Sequence, residues 1–169
     1  HGDIACTTQG AGDHEGQTWC GTGTSSAGNV SSSPGVEGVP IDLNFALPAP
    51  GETPYPVVMV NHGNGEQKYP FTQASMQRWL NEGYAVYSQT SRGFGYTCML
   101  NPGDPGCEAG YSHMMDFRYE VRDAQNILGL LADEDLIQPT KIAATGASYG
   151  GAMSMSLAVL KNRMMDLDG

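Results

Sequence analysis

The chain has 169 residues, of which 40% are hydrophobic and 15% charged, and its net charge is −10. This acidic balance disfavours nucleic acids and anionic membranes as partners, because a negative surface repels phosphate groups. No apolar run approaches the roughly 18 residues that a membrane span requires. The length is sufficient for one modest hydrophobic core.

The first segment, residues 1–36, is rich in Gly, Ser and Thr and has no hydrophobic periodicity. We therefore expect an irregular N-terminal arm, followed by a folded domain over residues 37–169. The chain opens at His1 without a basic and apolar leader, so we expect that any signal peptide has been removed.

The four cysteines form two close pairs in the sequence, Cys6 with Cys20 and Cys98 with Cys107. Their short separations favour two local disulfides, the first of which would pin the N-terminal arm. Neither pair has the spacing of zinc ligands, so we expect no metal site. Four reduced structural thiols are the alternative. Disulfides indicate an oxidising compartment, and we therefore expect a secreted protein.

The middle of the chain alternates between predicted strands and one helix. Apolar residues alternate with others over residues 39–47, which predicts a strand. The continuous apolar run Val57–Val60 predicts a strand buried on both faces. Residues 71–82 predict a helix that ends at Gly83, and residues 84–89 predict the next strand.

A long loop over residues 92–112 carries the second cysteine pair and precedes a second helix. That helix is indicated by apolar residues spaced four and three apart, namely Phe117, Val121, Ala124, Leu128 and Leu131. The acidic residues 133–135 and Pro139 close it, and residues 141–145 predict a further buried strand. Alternating strands and helices predict an α/β fold with a mostly parallel sheet, whose functional groups gather at the carboxyl ends of the strands.

The most informative motif is Gly146-Ala147-Ser148-Tyr149-Gly150, which lies between a predicted strand and a predicted helix. This setting is typical of the nucleophile elbow of serine hydrolases, so we predict that Ser148 is the nucleophile. Gly146 and Gly150 would allow the sharp turn, where side chains would collide. The alternative is a glycine-rich loop before a core helix.

Acyl transfer requires N–H groups that stabilise the developing oxyanion. The residue after the nucleophile, Tyr149, is one expected donor. The second candidate is Asn64, within His62-Gly63-Asn64-Gly65 at the end of the buried strand. An ordinary Gly-Asn-Gly turn is the alternative interpretation of this loop.

Several blocks together carry a resemblance to a known family. They are residues 57–65, 91–95 and 118–123, and the elbow with its double glycine. With these blocks, residues 39–169 resemble the N-terminal half of the catalytic domain in the Xaa-Pro dipeptidyl-peptidase and cocaine-esterase-like group of α/β-hydrolases, the secreted bacterial members in particular. The resemblance thus predicts a partial α/β-hydrolase fold.

The resemblance implies a Ser, Asp, His triad that cleaves small or polymeric esters or amides, without a metal or organic cofactor. Of its site residues, Ser148 and the oxyanion positions Asn64 and Tyr149 carry over to this chain. The charged residues of the matching blocks, Arg92, Arg118, Glu120 and Asp123, are expected to hold loops and strand ends together rather than to contact substrate.

The triad acid and histidine are not supplied in the expected order. All four histidines, which are His1, His14, His62 and His113, precede Ser148, and the acids after it, Asp166 and Asp168, follow too soon to end another strand. Within the chain, His62 is the candidate surrogate base, because its strand is expected to neighbour the elbow strand.

Three hypotheses follow. The first is a secreted serine hydrolase whose remaining half is missing from this chain. The second is a short hydrolase that uses a surrogate base or a partner chain, and the third is a non-catalytic binding module that retains the elbow. A half-built sheet would leave the elbow strand as an exposed edge, so we expect the missing half or another chain to pair with that edge.

Overall fold

The computed structural model describes residues 5–22, 33–100 and 102–160. Eight strands occur in this part of the chain: β1 (Ala5–Thr8), β2 (Thr18–Gly21), β3 (Ser33–Pro34), β4 (Pro40–Ile41), β5 (Leu43–Leu47), β6 (Tyr55–Asn61), β7 (Ala85–Gln89) and β8 (Ile137–Gly146). Three α-helices accompany them: α1 (Ala74–Asn81), α2 (Glu120–Asp133) and α3 (Tyr149–Val159). None of these helices is long and apolar enough to cross a membrane.

Six of the strands form one mixed sheet in the order β1-β2-β5-β7-β6-β8. Strand β6 is parallel to both β7 and β8, whereas β1, β2 and β5 run antiparallel to their neighbours. The prediction of an α/β fold with flanking helices is confirmed. The parallel strands β7, β6 and β8 lie on the side of the sheet that carries the elbow. The antiparallel strands β1, β2 and β5 lie on the N-terminal side.

The N-terminal side of the sheet corrects the expectation of an irregular arm. Residues 5–8 and 18–21 form a β-hairpin, in which Cys6 lies opposite Cys20, and β2 pairs with β5. Every residue of β1 is exposed, and only Cys20 of β2 is buried. These short strands therefore lack the apolar alternation by which strands are recognised. Residues 1–4 and 23–32 lie outside the described residues.

The sheet is covered on both faces. Strand β6 sends Val57 and Met59 to the face covered by α2 and α3, and Val58 and Val60 to the face covered by α1. All four side chains are buried, so the prediction of a strand buried on both faces is confirmed. As predicted, α1 is followed by Gly83, which has a φ of 84°.

Several predicted elements differ from the structure. The strand predicted over residues 39–47 is divided into β4 and β5, and the helix predicted from residue 71 begins at Ala74. Phe117 precedes α2 and is 46% exposed, because the chain before the helix folds around the side chain of Glu120 instead of starting a helical turn. The elbow strand β8 begins at Ile137 and includes Pro139, which an edge strand tolerates. It lies at the edge of the sheet, and most of its residues are exposed. The prediction of a buried strand is therefore wrong, and the expected exposed edge is present.

Candidate active site

Ser148 occupies the turn between β8 and α3 at the carboxyl end of the parallel strands. Its backbone has a φ of 53° and a ψ of −121°, a conformation that non-glycine residues rarely adopt. The side chain is exposed, and its hydroxyl makes no hydrogen bond to any other described residue. The turn therefore presents a strained, accessible serine at the start of a helix.

The two glycines of the motif are required by space. A Cβ atom at Gly146 would lie 2.6 Å from the carbonyl carbon of Gly150 and 2.8 Å from the carbonyl oxygen of Asn61. A Cβ atom at Gly150 would lie 2.4 Å from the same oxygen of Asn61. Both contacts are with backbone atoms, which cannot rotate away. The motif thus packs β8 and α3 directly onto the end of β6.

Two backbone N–H groups near the elbow are available to an acceptor. Tyr149 is the first residue of α3, and Asn64 lies in an exposed turn after β6. Neither N–H has an acceptor among the described residues. The turn is shaped by Glu66, whose carboxylate accepts from the N–H of Gly63 at 2.8 Å, and by Gly65 with a φ of 79°. These features are compatible with the predicted oxyanion donors.

The geometry of His62 does not support its assignment as a surrogate base. Its ring is buried, Nδ1 lies 2.7 Å from the carbonyl oxygen of Gly63, and Nε2 lies 3.0 Å from the N–H of Ser91. Nδ1 must therefore donate and Nε2 must accept, so both nitrogens are engaged by the backbone. Burial lowers the pKa of His62, and its bond to Gly63 and the charge of Glu66 oppose this shift only in part. His62 braces the loops after β6 and β7.

The other described histidines lie in different surroundings. The ring of His14 is 5.3 Å from that of Trp19, between β1 and β2. The ring of His113 stacks on Tyr119 at 3.6 Å. No described histidine forms a hydrogen bond with Ser148. His1, Asp166 and Asp168 lie outside the described residues.

A small hydrogen-bonded brace near the elbow was not predicted. Asn61 donates from Nδ2 to the hydroxyl of Ser154 at 3.1 Å, and that hydroxyl donates to the carbonyl oxygen of Gly150 at 2.8 Å. The brace ties the end of β6 to the first turns of α3. Its sequence signal is weak, because Asn61 and Ser154 are 93 residues apart. The only sequence feature that indicates this brace is the polar residue Asn61 at the end of the apolar strand β6.

Three aromatic rings pack against each other next to the elbow. The ring centroids of His62, Phe94 and Tyr149 lie between 5.3 and 5.7 Å from each other. Burial raises the pKa of Tyr149 to about 12, so its hydroxyl is neutral at physiological pH. The cluster joins the loops after β6 and β7 to the start of α3.

The charged residues of the matching blocks have structural contacts. Arg92 is fully buried and binds both carboxylate oxygens of Asp123, at 2.8 and 2.7 Å. Nη1 donates to the carboxylate of Glu37 and to the carbonyl oxygen of Ala109, and Nη2 also donates to the carbonyl oxygen of Val36. This ion pair holds the loop after β7 against α2 and the chain before β4.

Glu120 plays a similar part for the segment before α2. Its buried carboxylate accepts from the N–H of His113 and from the N–H of Asp116, the latter at 3.1 Å. Arg118, in contrast, is exposed and pairs with Asp116. These contacts agree with the expectation that the charged residues hold loops together.

Both predicted disulfides are present, Cys6–Cys20 within the N-terminal hairpin and Cys98–Cys107 within the loop after β7. The described residues contain no free cysteine. Two disulfides fit an oxidising compartment.

Comparisons with solved structures agree with the fold. The acetyl xylan esterase from Paenibacillus sp. R4 superposes with a TM-score of 0.68 at 20% identity, over 96% of this chain and 51% of that chain. Acetyl xylan esterase 1 from Thermoanaerobacterium sp. JW/SL YS485 gives 0.62 at 16% identity, over 96% and 50%. Oligopeptidase B from Trypanosoma brucei gives 0.60 at 16% identity, over 78% and 18%. The chain therefore spans about half the length of the two esterases.

A search among curated proteins gives no match. A family model, however, matches residues 37–167, which is most of the chain and includes β4 to α3 with the elbow. Its description is X-Pro dipeptidyl-peptidase, S15 family. This family and the fold agree with the resemblance drawn from the sequence blocks. The chain belongs to the X-Pro dipeptidyl-peptidase (S15) family of α/β-hydrolases.

Proposed function

We propose that the chain carries the nucleophile of a secreted serine hydrolase that cleaves carboxylic esters or amides. The observation that supports this most directly is the backbone of Ser148, with a φ of 53° and a ψ of −121° on a strand–helix turn. A strained conformation of this kind is retained when the surrounding structure enforces it, and such residues concentrate at active sites. Gly146 and Gly150 provide that enforcement.

In the proposed reaction, the Ser148 hydroxyl oxygen attacks the carbonyl carbon of the substrate while its proton passes to a general base. The bond to the alcohol or amine then breaks, the leaving group takes up that proton, and an acyl-enzyme remains. Water hydrolyses this ester and restores the serine. The N–H groups of Tyr149 and Asn64 donate to the oxyanion in both steps. Tyr149 is the first residue of α3, so the positive end of the helix dipole also stabilises the negative charge.

The general base is proposed to come from polypeptide outside the described residues. The described histidines His14, His62 and His113 have no hydrogen bond to Ser148, and His62 has both nitrogens engaged. A strand added in parallel to the exposed edge of β8 would end about 5 Å from the elbow strand, at the same rim. A histidine or acid just beyond such a strand would reach Ser148. The added strand belongs either to the remaining half of the hydrolase or to another chain.

The proposed substrate is uncharged or cationic on its acyl side, since a net charge of −10 repels polyanions. Secretion is supported by the two disulfides, which are stable outside the reducing cytosol. Peptides, aryl esters and polyesters are all candidates within this class, and so are acetyl esters, which the names of the two similar esterases suggest.

The test is labelling with a fluorophosphonate probe, together with hydrolysis of a short p-nitrophenyl ester. Ser148→Ala should lose both, whereas Ser156→Ala, a serine farther along α3, should retain both. Slow labelling is expected for the chain alone, because the oxyanion hole acts without the base. Labelling that persists in Ser148→Ala would disprove the assignment. A parent chain that is never labelled would instead favour a non-catalytic binding module.

A further inference from the structure

A second concave site lies on the N-terminal side of the sheet, on the face that α1 covers. It is a groove of about 520 Å³ between the β1–β2 hairpin, β5 and residues 67–71. Its principal lining residues are Thr7, Trp19, Gly21, Asn44, Gln67 and Phe71. None of them belongs to the elbow or to the expected oxyanion hole.

The aromatic part of the groove is held rigidly in place. The rings of Trp19 and Phe71 stack at 5.0 Å with an interplanar angle of 8°. Trp19 donates from Nε1 to Gln17, and Gln17 exchanges two hydrogen bonds with Gln77, at 2.9 and 3.0 Å. Gln77 in turn donates to the carbonyl oxygen of Phe71 at 2.8 Å. One buried pair of amides thus fixes the indole of Trp19 and the backbone of Phe71, as a preorganised binding surface requires.

The floor of the groove is kept open by a glycine. A Cβ atom at Gly21 would lie 2.6 Å from Oδ1 of Asn44 and 3.3 Å from Cζ of Phe71. The φ of Gly21 is not in the left-handed region, so backbone conformation does not demand glycine there. Glycine is required there because the side chains of Asn44 and Phe71 leave no space for a Cβ atom.

The polar groups around the rings present no uncompensated charge. Lys68 and Asp42, which also line the groove, form an ion pair at 2.6 Å, and Lys68 also donates to Thr22 and to the carbonyl oxygen of Leu43. The remaining polar side chains, among them Thr7 and Gln67, are hydroxyls and amides. Such groups both donate and accept hydrogen bonds.

We propose that this groove binds a neutral saccharide unit. A sugar ring offers an apolar C–H face that packs on an aromatic ring, and hydroxyl groups that both donate and accept hydrogen bonds. The groove supplies both kinds of contact side by side, and its paired Lys68 and Asp42 favour an uncharged ligand. A proline-rich peptide also packs on aromatic rings, but it offers mainly carbonyl acceptors and leaves the accepting groups of the groove unused.

The groove and the elbow belong to the same sheet and lie toward the same end of its strands. Paired residues run across the strands from Cys20 through Phe45, Tyr87 and Met59 to Ala144. Gly21 follows the first of these residues, and Ser148 follows the last by four positions. Four strand spacings separate β2 from β8, which is about 19 Å. If Ser148 acts as proposed above, the groove would hold a distal sugar of an extended, esterified polysaccharide.

The experiment is an NMR titration of the Ser148→Ala chain with xylohexaose. The indole N–H signals of Trp19 and Trp79 are followed, and Trp79 serves as an internal reference because it does not line the groove. We expect a saturable shift of the Trp19 signal alone. Gly21→Ala and Phe71→Leu should weaken binding by about tenfold, a change of about 1.4 kcal/mol. Gly10→Ala should not change it, since a Cβ atom at Gly10 has no neighbour within 4 Å.

A milder pair of variants covers the case in which the core of the groove does not tolerate substitution. Gln67→Ala removes an exposed amide of the groove, and Gln73→Ala removes an exposed amide outside it. Only the first should weaken binding. The proposal is overturned if xylohexaose gives no saturable shift, if the groove variants bind it as well as the parent, or if hexaproline binds there and xylohexaose does not. Because Ser148 is already replaced, the result is independent of whether the chain is a hydrolase.

Discussion

Gly150 rests directly on the carbonyl group of Asn61, so closely that a Cβ atom at position 150 would lie 2.4 Å from the carbonyl oxygen. The first turn of α3 is therefore seated on the end of β6. This contact determines where Ser148 stands relative to the turn of Asn64. It also makes the second glycine of the motif a packing residue, whose replacement has a measurable consequence.

Gly150→Ala should lower the free energy of unfolding by about 2 to 3 kcal/mol, because the added methyl group overlaps backbone atoms. Gly151→Ala is the matched control on the same helix, since its Cβ atom would meet nothing closer than 3.3 Å. Alanine also favours the helix there, so we expect a change within about 1 kcal/mol. Urea denaturation of both variants measures the difference. Equal losses of stability in the two variants would show that the close contact between Gly150 and Asn61 does not determine the stability of the fold.

The buried ion pair of Arg92 and Asp123 should dominate the stability of the loops beside the site. Both side chains are fully buried. Asp123→Ala leaves the Arg92 charge without its bidentate partner, and we expect a loss of about 3 to 5 kcal/mol. Arg118→Ala, which breaks an exposed pair, should leave the thermal midpoint unchanged. Calorimetry of the two variants tests this, and a small effect of Asp123→Ala would contradict it.

His62 should make stability depend on pH. Burial lowers its folded-state pKa below the ordinary value of 6.5, so the unfolded chain binds the proton more readily. This contribution to stability is complete above pH 6.5 and is lost as the pH falls from 6.5 through the lower folded-state pKa. The Cε1–H resonance of His62 should titrate below 6.5, and His62→Gln should lose less stability than the parent on acidification. A midpoint at or above 6.5 would refute this account.

The two disulfides should have separable effects. Each closes a short loop, of sequence separation 14 for Cys6–Cys20 and 9 for Cys98–Cys107, and each should contribute about 3 kcal/mol. Only the second lies in the loop that carries Phe94, whose ring contacts Tyr149. Replacing Cys98 and Cys107 by alanine should therefore also slow fluorophosphonate labelling of Ser148. The matching change at Cys6 and Cys20 should affect stability alone, and equal labelling of the two double variants would contradict this distinction.

The chain by itself should associate through the edge of β8. This strand pairs on one side only within the described sheet, and α3 exposes Met155 and Val159, each at 74%. Unpaired strand groups and apolar side chains both promote association. Light scattering should detect species larger than 17.9 kDa, and replacing both α3 residues by lysine should shift the distribution toward monomer. A monodisperse parent monomer would contradict the prediction.

Local patterns were sufficient for a large part of this fold. The run Val57–Val60 predicted a strand buried on both faces, because burial on two sides leaves no polar position in the sequence. The spacing of Gly146, Ser148 and Gly150 predicted the elbow, because the sharp turn demands those residue types at that spacing. The cysteine pairs were likewise close enough in sequence to be matched.

Other features depend on contacts between distant segments, and only the tertiary structure decided them. The β1–β2 hairpin exists because β2 pairs with β5, and its exposed residues carry no pattern. The sequence predicted His62 as a surrogate base from the neighbouring strands alone, whereas in the structure its two ring nitrogens bond to the backbone of Gly63 and Ser91. The groove of Trp19 and Phe71 depends on amides that are 60 residues apart. Sequence periodicity reports which face of an element is buried, but it does not report which distant group lies against it.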